Sequence, residues 1–120
     1  RANDEIICLV MIETIEAVER LDDIAKAPGI DGFYVGPSDL ALSLGIQPGP
    51  EASSHPRHIE ACQRVLDVAK AHGLVPCHHG SGPEEANRRF AEGFLMCQLG
   101  SDVSMVSTGS VKALNMVKQN

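Results

Sequence analysis

Gly36-Pro37-Ser38-Asp39-Leu40 closes the apolar run Phe33-Tyr34-Val35 and opens a short helical pattern, Leu40 to Leu44. A strand that ends in Gly-Pro must turn tightly. The residues that follow then present unpaired backbone N–H groups at a helix start, where an anion is favoured. Asp39 stands beside that pocket. A carboxylate there repels an anionic ligand unless a cation lies between them, so the arrangement suits a divalent metal bridging carboxylate and ligand. Asp39 also suits a helix cap, and the turn alone leaves both readings open.

Working outward, the chain alternates strand and helix. Ile6 to Ile12 is an unbroken apolar run rich in β-branched residues, the pattern of a strand covered on both faces, and it ends at Glu13-Thr14. Ile15, Val18, Leu21, Ile24 and Ala25 follow at helical spacing until Pro28-Gly29 stops them. Gly32 to Val35 is the second strand. A loop from Gly45 to Pro56, with three prolines and two glycines, separates its turn from an amphipathic helix expected over Arg57 to His72. Leu74 to His78 is the third strand. Ser81 and Glu84 have capping-box spacing before a helix from Pro83 to Glu92, and Gly93 ends it. The fourth strand is expected over Phe94 to Leu99. After Gly100-Ser101-Asp102, a last helix is expected over Val103 to Lys118, weakest at Gly109, with Asp102 as its cap.

Four strand–helix units in strict order predict an α/β fold with a parallel sheet and right-handed crossovers. Function in such sheets collects at the C-terminal strand ends. Those ends carry Glu13, Ser38 with Asp39, His78 with His79, and Ser101 with Asp102. Glu13 and Asp39, on adjacent strands, form the expected metal pair, and oxygen-only ligation favours Mg2+ or Mn2+.

Composition limits the partners. The chain has 120 residues, 43% hydrophobic and 22% charged, which suits one globular segment. A formal charge of -6 without any Lys/Arg cluster argues against nucleic acid or an anionic membrane and leaves small molecules as ligands. No apolar run is long enough to span a bilayer and no basic-then-apolar leader opens the chain. Neither a membrane segment nor an export signal is therefore expected, and the cytoplasm is the expected compartment. Cys8, Cys62, Cys77 and Cys97 lie in apolar runs or on apolar helix faces with no C-x-x-C pair, so they are read as buried thiols rather than zinc ligands.

The residues Val10-Met11-Ile12-Glu13-Thr14, Pro28-Gly29-Ile30-Asp31-Gly32, Gly36-Pro37-Ser38-Asp39-Leu40, His55-Pro56 and Gly93-Phe94 leading to Gly100-Ser101-Asp102 together resemble the HpcH/HpaI family. These are the class II, metal-dependent pyruvate aldolases, which include the 4-hydroxy-2-oxoheptanedioate and 2-keto-3-deoxy-sugar-acid aldolases of aromatic and sugar-acid catabolism. The resemblance covers essentially the whole chain. It implies that residues 1–120 are a single segment, the C-terminal half (strands five to eight) of a (β/α)8 barrel, since such barrels take about 250 residues. It further implies that Glu13 and Asp39 ligate a divalent ion, Mg2+, Mn2+ or Co2+. That ion holds pyruvate through its keto oxygen and carboxylate while the bond to an aldehyde is broken or made. Gly36, Pro37, Ser38 and Asp39 would bind the substrate carboxylate through backbone N–H groups.

The family's arginine and proton-handling histidine lie on earlier strands, upstream of Arg1, so no catalytic acid or base is expected here and the segment alone should be inactive. Half a barrel would expose two unpaired edges and an unfilled interior. One departure from the family is Cys77-His78-His79-Gly80-Ser81, where many members carry a small apolar segment. Adjacent histidines on an extended chain point to opposite sides. Surface roles suit both His78 and His79, and the sharper expectation is that one of them contacts the aldehyde half. His55, His58 and His72 are read as loop or helix-surface residues.

Two alternatives stay open: a CoA-thioester lyase like the citrate lyase β subunit or malyl-CoA lyase, and a non-catalytic half-barrel scaffold. The expected partner is a second copy of the chain, a homo-oligomer exchanging the last helix through Val106, Val111, Leu114 and Val117, as in the wider superfamily.

Overall fold

The computed structural model describes residues 1–49 and 51–117. A short N-terminal helix α1 (Ala2–Glu5) leads to β1 (Leu9–Ile12), and the helices α2 (Ile15–Glu19) and α3 (Leu21–Ile24) return to β2 (Gly32–Val35). Then come α4 (Pro37–Ser43), a 3-10 turn (Ala52–Ser54), α5 (Pro56–Ala71), β3 (Val75–His78), α6 (Pro83–Glu92), β4 (Met96–Cys97) and α7 (Asp102–Met116). The strands form one parallel sheet in the order β1-β2-β3-β4. Parallel α/β architecture was expected from the alternation and is what forms.

The register aligns Ile12, Val35, His78 and Cys97 across the sheet. Side chains alternate along a strand, so Glu13, Gly36, His79 and Gln98 make the next row and point to the opposite face. The first face is covered. Ile12, Phe33 and Val35 pack against Val18, Leu21, Leu40, Val65 and Leu66 in a single core. The opposite face carries Met11 and Met96, which are 52% and 50% exposed.

Several expected boundaries shift for identifiable reasons. β1 begins at Leu9 rather than Ile6, and Ile6 and Ile7 are 70% and 72% exposed. Cys8 N–H donates to the Asp31 carboxylate and its carbonyl accepts from the Asp31 N–H, while Ile6 N–H turns back to the Ala2 carbonyl of α1 instead of pairing with a strand. The helix after β1 is broken at Arg20, and the Val18 carbonyl at the break accepts from Arg64 Nε (3.1 Å). β3 starts at Val75, and β4 shrinks to two residues, with the Phe94 N–H bonded back to the Arg89 carbonyl at the end of α6.

Ser81 pairs with Glu85, not Glu84, and α6 starts from Gly82 without a side-chain cap. Ser101, not Asp102, caps α7 in a reciprocal box with Ser104, and Asp102 Oδ1 accepts from the N–H of Val103. Lys118, the expected end of that helix, lies outside the described residues. Of the four cysteines only Cys62 and Cys77 are buried; Cys8 is exposed because its run precedes the paired part of β1, and Cys97 is half-buried.

From Ser101 to Val117 every residue is exposed, so α7 contributes nothing to the core. It presents Val103, Val106, Val111 and Leu114 to solvent. Among the described residues no helix is long and apolar enough to cross a membrane.

Candidate active site

The residue after each strand decides what the C-terminal rim offers. Glu13 follows β1 and Gly36 follows β2 in the same row. A methyl built on Gly36 would stand 2.9 Å from Glu13 Oε2, 3.1 Å from its Cβ and 3.4 Å from Met11 Sδ. The Glu13 side chain therefore lies across Gly36, in space that only glycine leaves open.

Gly36 is the N-cap of α4, Pro37 is its first residue and Asp39 lies in its first turn, exposed. Leu40 N–H donates to the Gly36 carbonyl at 3.0 Å, while the N–H groups of Ser38 and Asp39 have no acceptor among the described residues. Neither the Glu13 nor the Asp39 carboxylate forms a hydrogen bond or ion pair among the described residues. Asp39 is thus not a cap. The turn is anchored from behind, where Ser43 Oγ accepts from the N–H of Ile15 at 2.8 Å.

On the open face Tyr34 OH lies 3.2 Å from His79 Nδ1 and donates to Gln98 Oε1 at 3.4 Å, its ring edge-on to the imidazole. Burial, with the neighbouring Cys97 and Cys77 thiols, raises the Tyr34 hydroxyl above its ordinary pKa. Tyr34 and Gln98 were not among the expected site residues. The signal was present, since Tyr34 precedes Gly36 by one strand period and so shares its face.

A cavity of about 610 Å³ opens beside this rim between Pro37-Ser38, the 3-10 turn and the Gly80-Ser81-Gly82 loop. It reaches His79 and Arg88 but not Glu13 or Asp39. Its loop wall is tied down by Glu85. One carboxylate oxygen of Glu85 accepts from Ser81 N–H (3.0 Å) and Oγ–H (2.7 Å), and the other from Arg88 and buried Arg89. Burial pushes the Glu85 carboxyl up, but the Ser81 hydrogen bonds and the Arg89 charge outweigh it and hold the group below the usual carboxylate range.

His79 is exposed on the rim, whereas His78 has no exposed surface at all. His78 shares the row of Ile12 and Val35, so its ring points into the helix layer, edge-on to Phe94 at 5.2 Å. Of the two histidines, one of which was expected on the aldehyde side, only His79 is accessible. Burial pushes the His78 imidazole down to about 4, with the Arg89 charge adding to the effect. His58 also departs from its expected surface position, being fully buried at the head of the α5 apolar stripe. His55 caps α5 through Nδ1, and His72 meets Asp22 at the surface (3.1 Å).

Among the described residues no group of three or more His, Cys, Asp or Glu side chains could hold a metal. The rim offers two unpaired carboxylates, a donor set that fits a hard cation able to fill its other positions with water and substrate oxygen.

Residues 1–108 match the HpcH/HpaI aldolase/citrate lyase family. The 5-keto-4-deoxy-D-glucarate aldolase of Citrobacter koseri is 36% identical over 120 residues, 99% of this chain and 45% of the relative. A crystal structure of an HpcH/HpaI aldolase/citrate lyase family protein from Burkholderia cenocepacia J2315 superposes with a TM-score of 0.86 at 30% identity, covering 98% of this chain and 45% of that one. That of an HpcH/HpaI aldolase from Desulfitobacterium hafniense DCB-2 gives 0.82 at 28% identity with the same coverage. The chain spans about 45% of the length of the curated relatives it matches. On this match over nearly its full length, the chain belongs to the HpcH/HpaI aldolase/citrate lyase family.

Proposed function

We propose that residues 1–120 form the C-terminal half, strands five to eight, of a (β/α)8 aldolase barrel. In this reading the segment supplies the oxo-acid side of a site that reversibly cleaves a 4-hydroxy-2-oxo acid to pyruvate and an aldehyde. The observation that carries it is the Glu13 carboxylate lying across Gly36 at the head of the Pro37–Asp39 turn, with both rim carboxylates unpaired. Support for the barrel comes from the second face of the sheet, where Met11 and Met96 stand half exposed and open to burial by a second half.

Glu13 and Asp39 would hold a divalent cation, Mg2+, Mn2+ or Co2+. When bound, such an ion supplies Lewis acidity toward the keto oxygen of the substrate. The free N–H groups of Ser38 and Asp39 orient the oxo-acid carboxylate, and Gly36 keeps the approach clear. His79, steadied by Tyr34, faces the aldehyde half. Proton transfer and charge neutralisation by arginine fall to the other half of the barrel. The cytoplasm is the proposed compartment.

A homo-oligomer in which α7 seats on a neighbouring copy agrees with that helix's complete exposure and its apolar residues. A CoA-thioester lyase finds less support, because the cationic side chain at the cavity, Arg88, is already paired with Glu85.

Glu13→Gln and Asp39→Asn in the full-length protein test the proposal by calorimetric metal titration and by pyruvate release. Loss of an outer partner of a metal ligand alone costs about 10–100-fold, so loss of a ligand should cost at least about 100-fold in both. Unchanged metal affinity and turnover in both variants would sink it and favour a scaffold.

A further inference from the structure

Three polar side chains sit in the apolar layer beneath the cavity. His58 Nε2 faces the Pro37 carbonyl at 3.1 Å, and His78 Nδ1 faces the His79 carbonyl at 2.7 Å. A carbonyl only accepts, so each of those nitrogens carries the ring proton. That leaves His58 Nδ1 and His78 Nε2 as acceptors, and both are turned on Cys62 Sγ, at 3.6 and 3.9 Å. Burial lowers the pKa of both imidazoles and pushes the Cys62 thiol up to about 11, so all three groups are neutral near pH 7. The thiol has one proton for two acceptors, and the shorter contact gives it to His58, which leaves His78 Nε2 packed against the sulfur without a hydrogen bond. The result is a continuous buried row of contacts, Pro37–His58–Cys62–His78–His79, hydrogen-bonded from Pro37 to Cys62 and from His78 to His79 and joined between by packing of the Cys62 sulfur on the His78 ring; its two ends are the two walls of the cavity. Pro37 opens the Ser38-Asp39 turn, and His79 opens the Gly80-Ser81-Gly82 loop. Hydrogen-bonded to each wall at its ends and close-packed between them, the row holds one wall against the other.

We infer that His58, Cys62 and His78 are positioning residues that fix the separation of the oxo-acid turn from the aldehyde-side loop, and so set the length of aldehyde the site accepts. This deepens the aldolase reading and rests on it. An apolar trio would fill the same volume but would leave each wall to move by itself.

The test uses full-length protein, amide hydrogen exchange of segments 38–44 and 79–82, and steady-state kinetics with aldehydes of increasing length. His58→Leu removes the donor to Pro37. Loss of one buried hydrogen bond should speed exchange roughly threefold to tenfold, and the expected result is that segment 79–82, on the far wall, speeds up as well. KM for the aldehyde should rise and discrimination by length should fall, with a smaller change in kcat. His58→Gln, whose amide can donate to Pro37, should recover protection of segment 38–44.

Should His58→Leu fail to fold, Cys62→Ala and Cys62→Ser carry the same comparison, because serine keeps a proton to donate. Far-wall exchange that is unchanged in both His58→Leu and Cys62→Ala overturns the inference. The exchange readout needs no turnover. If Glu13→Gln and Asp39→Asn stay active while the walls prove coupled, the aldolase site fails and the coupling stands. If those variants lose activity and the walls prove independent, the reverse holds.

Discussion

Gly36→Ala tests the geometry of the site with one methyl group. The backbone at Gly36 has φ -95° and ψ 91°, a region open to any residue, so alanine brings no backbone strain. Its Cβ would stand 2.9 Å from Glu13 Oε2, where ordinary contact begins at 3.4 Å, so the carboxylate must retreat by about 0.5 Å. Misplacement of a reacting group by about 1 Å can cost roughly 100-fold. Half that displacement predicts about a tenfold loss of turnover, with a matching loss of metal affinity.

Stability should fall only slightly, because the methyl also stands 3.1 Å from Glu13 Cβ, which must give by a few tenths of an ångström. Alanine gains about 0.4–1 kcal/mol through the unfolded chain, while an off-rotamer glutamate costs about 0.5–1.5 kcal/mol. The assay is pyruvate release by the full-length variant across a metal titration, with a thermal melt alongside. Turnover within twofold of the parent at every metal concentration would refute the placement of Glu13 as a ligand beside Gly36. A melt lowered by more than a few degrees would instead mean that the methyl disturbs the fold.

Acid should destabilise the fold through His78. Its folded pKa of about 4 lies below the ordinary 6.5, so the unfolded chain binds the proton more readily. The stability is complete above about pH 6.5 and falls as pH drops toward about 4, by about 3 kcal/mol in total. Urea titrations at pH 7 and pH 4.5 check this, and His78→Phe should flatten the difference; an equally steep loss in that variant would exonerate His78. Gly80→Ala should lower stability by about 1–3 kcal/mol, because the new methyl would collide with the Gln98 carbonyl and stand 2.8 Å from Cys97 Sγ. Backbone cannot yield there as a side chain can, and an unchanged melting temperature would show that β3 and β4 are not so closely joined.

What the sequence shows directly is whatever its own periodicity encodes. Strand–helix alternation placed Glu13, Gly36 and His79 at strand ends, and the register puts them in one row. Features that depend on distant partners were hidden. The Val18 carbonyl at the break near Arg20 accepts from Arg64 across 46 positions, a pairing that no local pattern records. His58 falls in step with Cys62, Val65 and Ala69 on α5, so its buried place was legible by spacing, but a lone histidine reads as surface until Pro37 and Cys62 are seen beside it. Ile6 and Ile7 mislead in the opposite direction, because apolar character predicts burial only where another element arrives to cover it.

The sequential strand order also shapes how the chain acquires its fold. Paired residues are separated by roughly 20 positions between β1 and β2 and between β3 and β4, and by roughly 40 between β2 and β3. Doubling a loop adds about 0.6 kcal/mol of closure entropy, so the central seam closes last unless something shortens the search. The 16-residue α5 lies inside that interval and packs on both β2 and β3. Its early formation would turn one long closure into two short ones. The helix that roofs the sheet is then also the splint on which its two hairpin-free halves are joined.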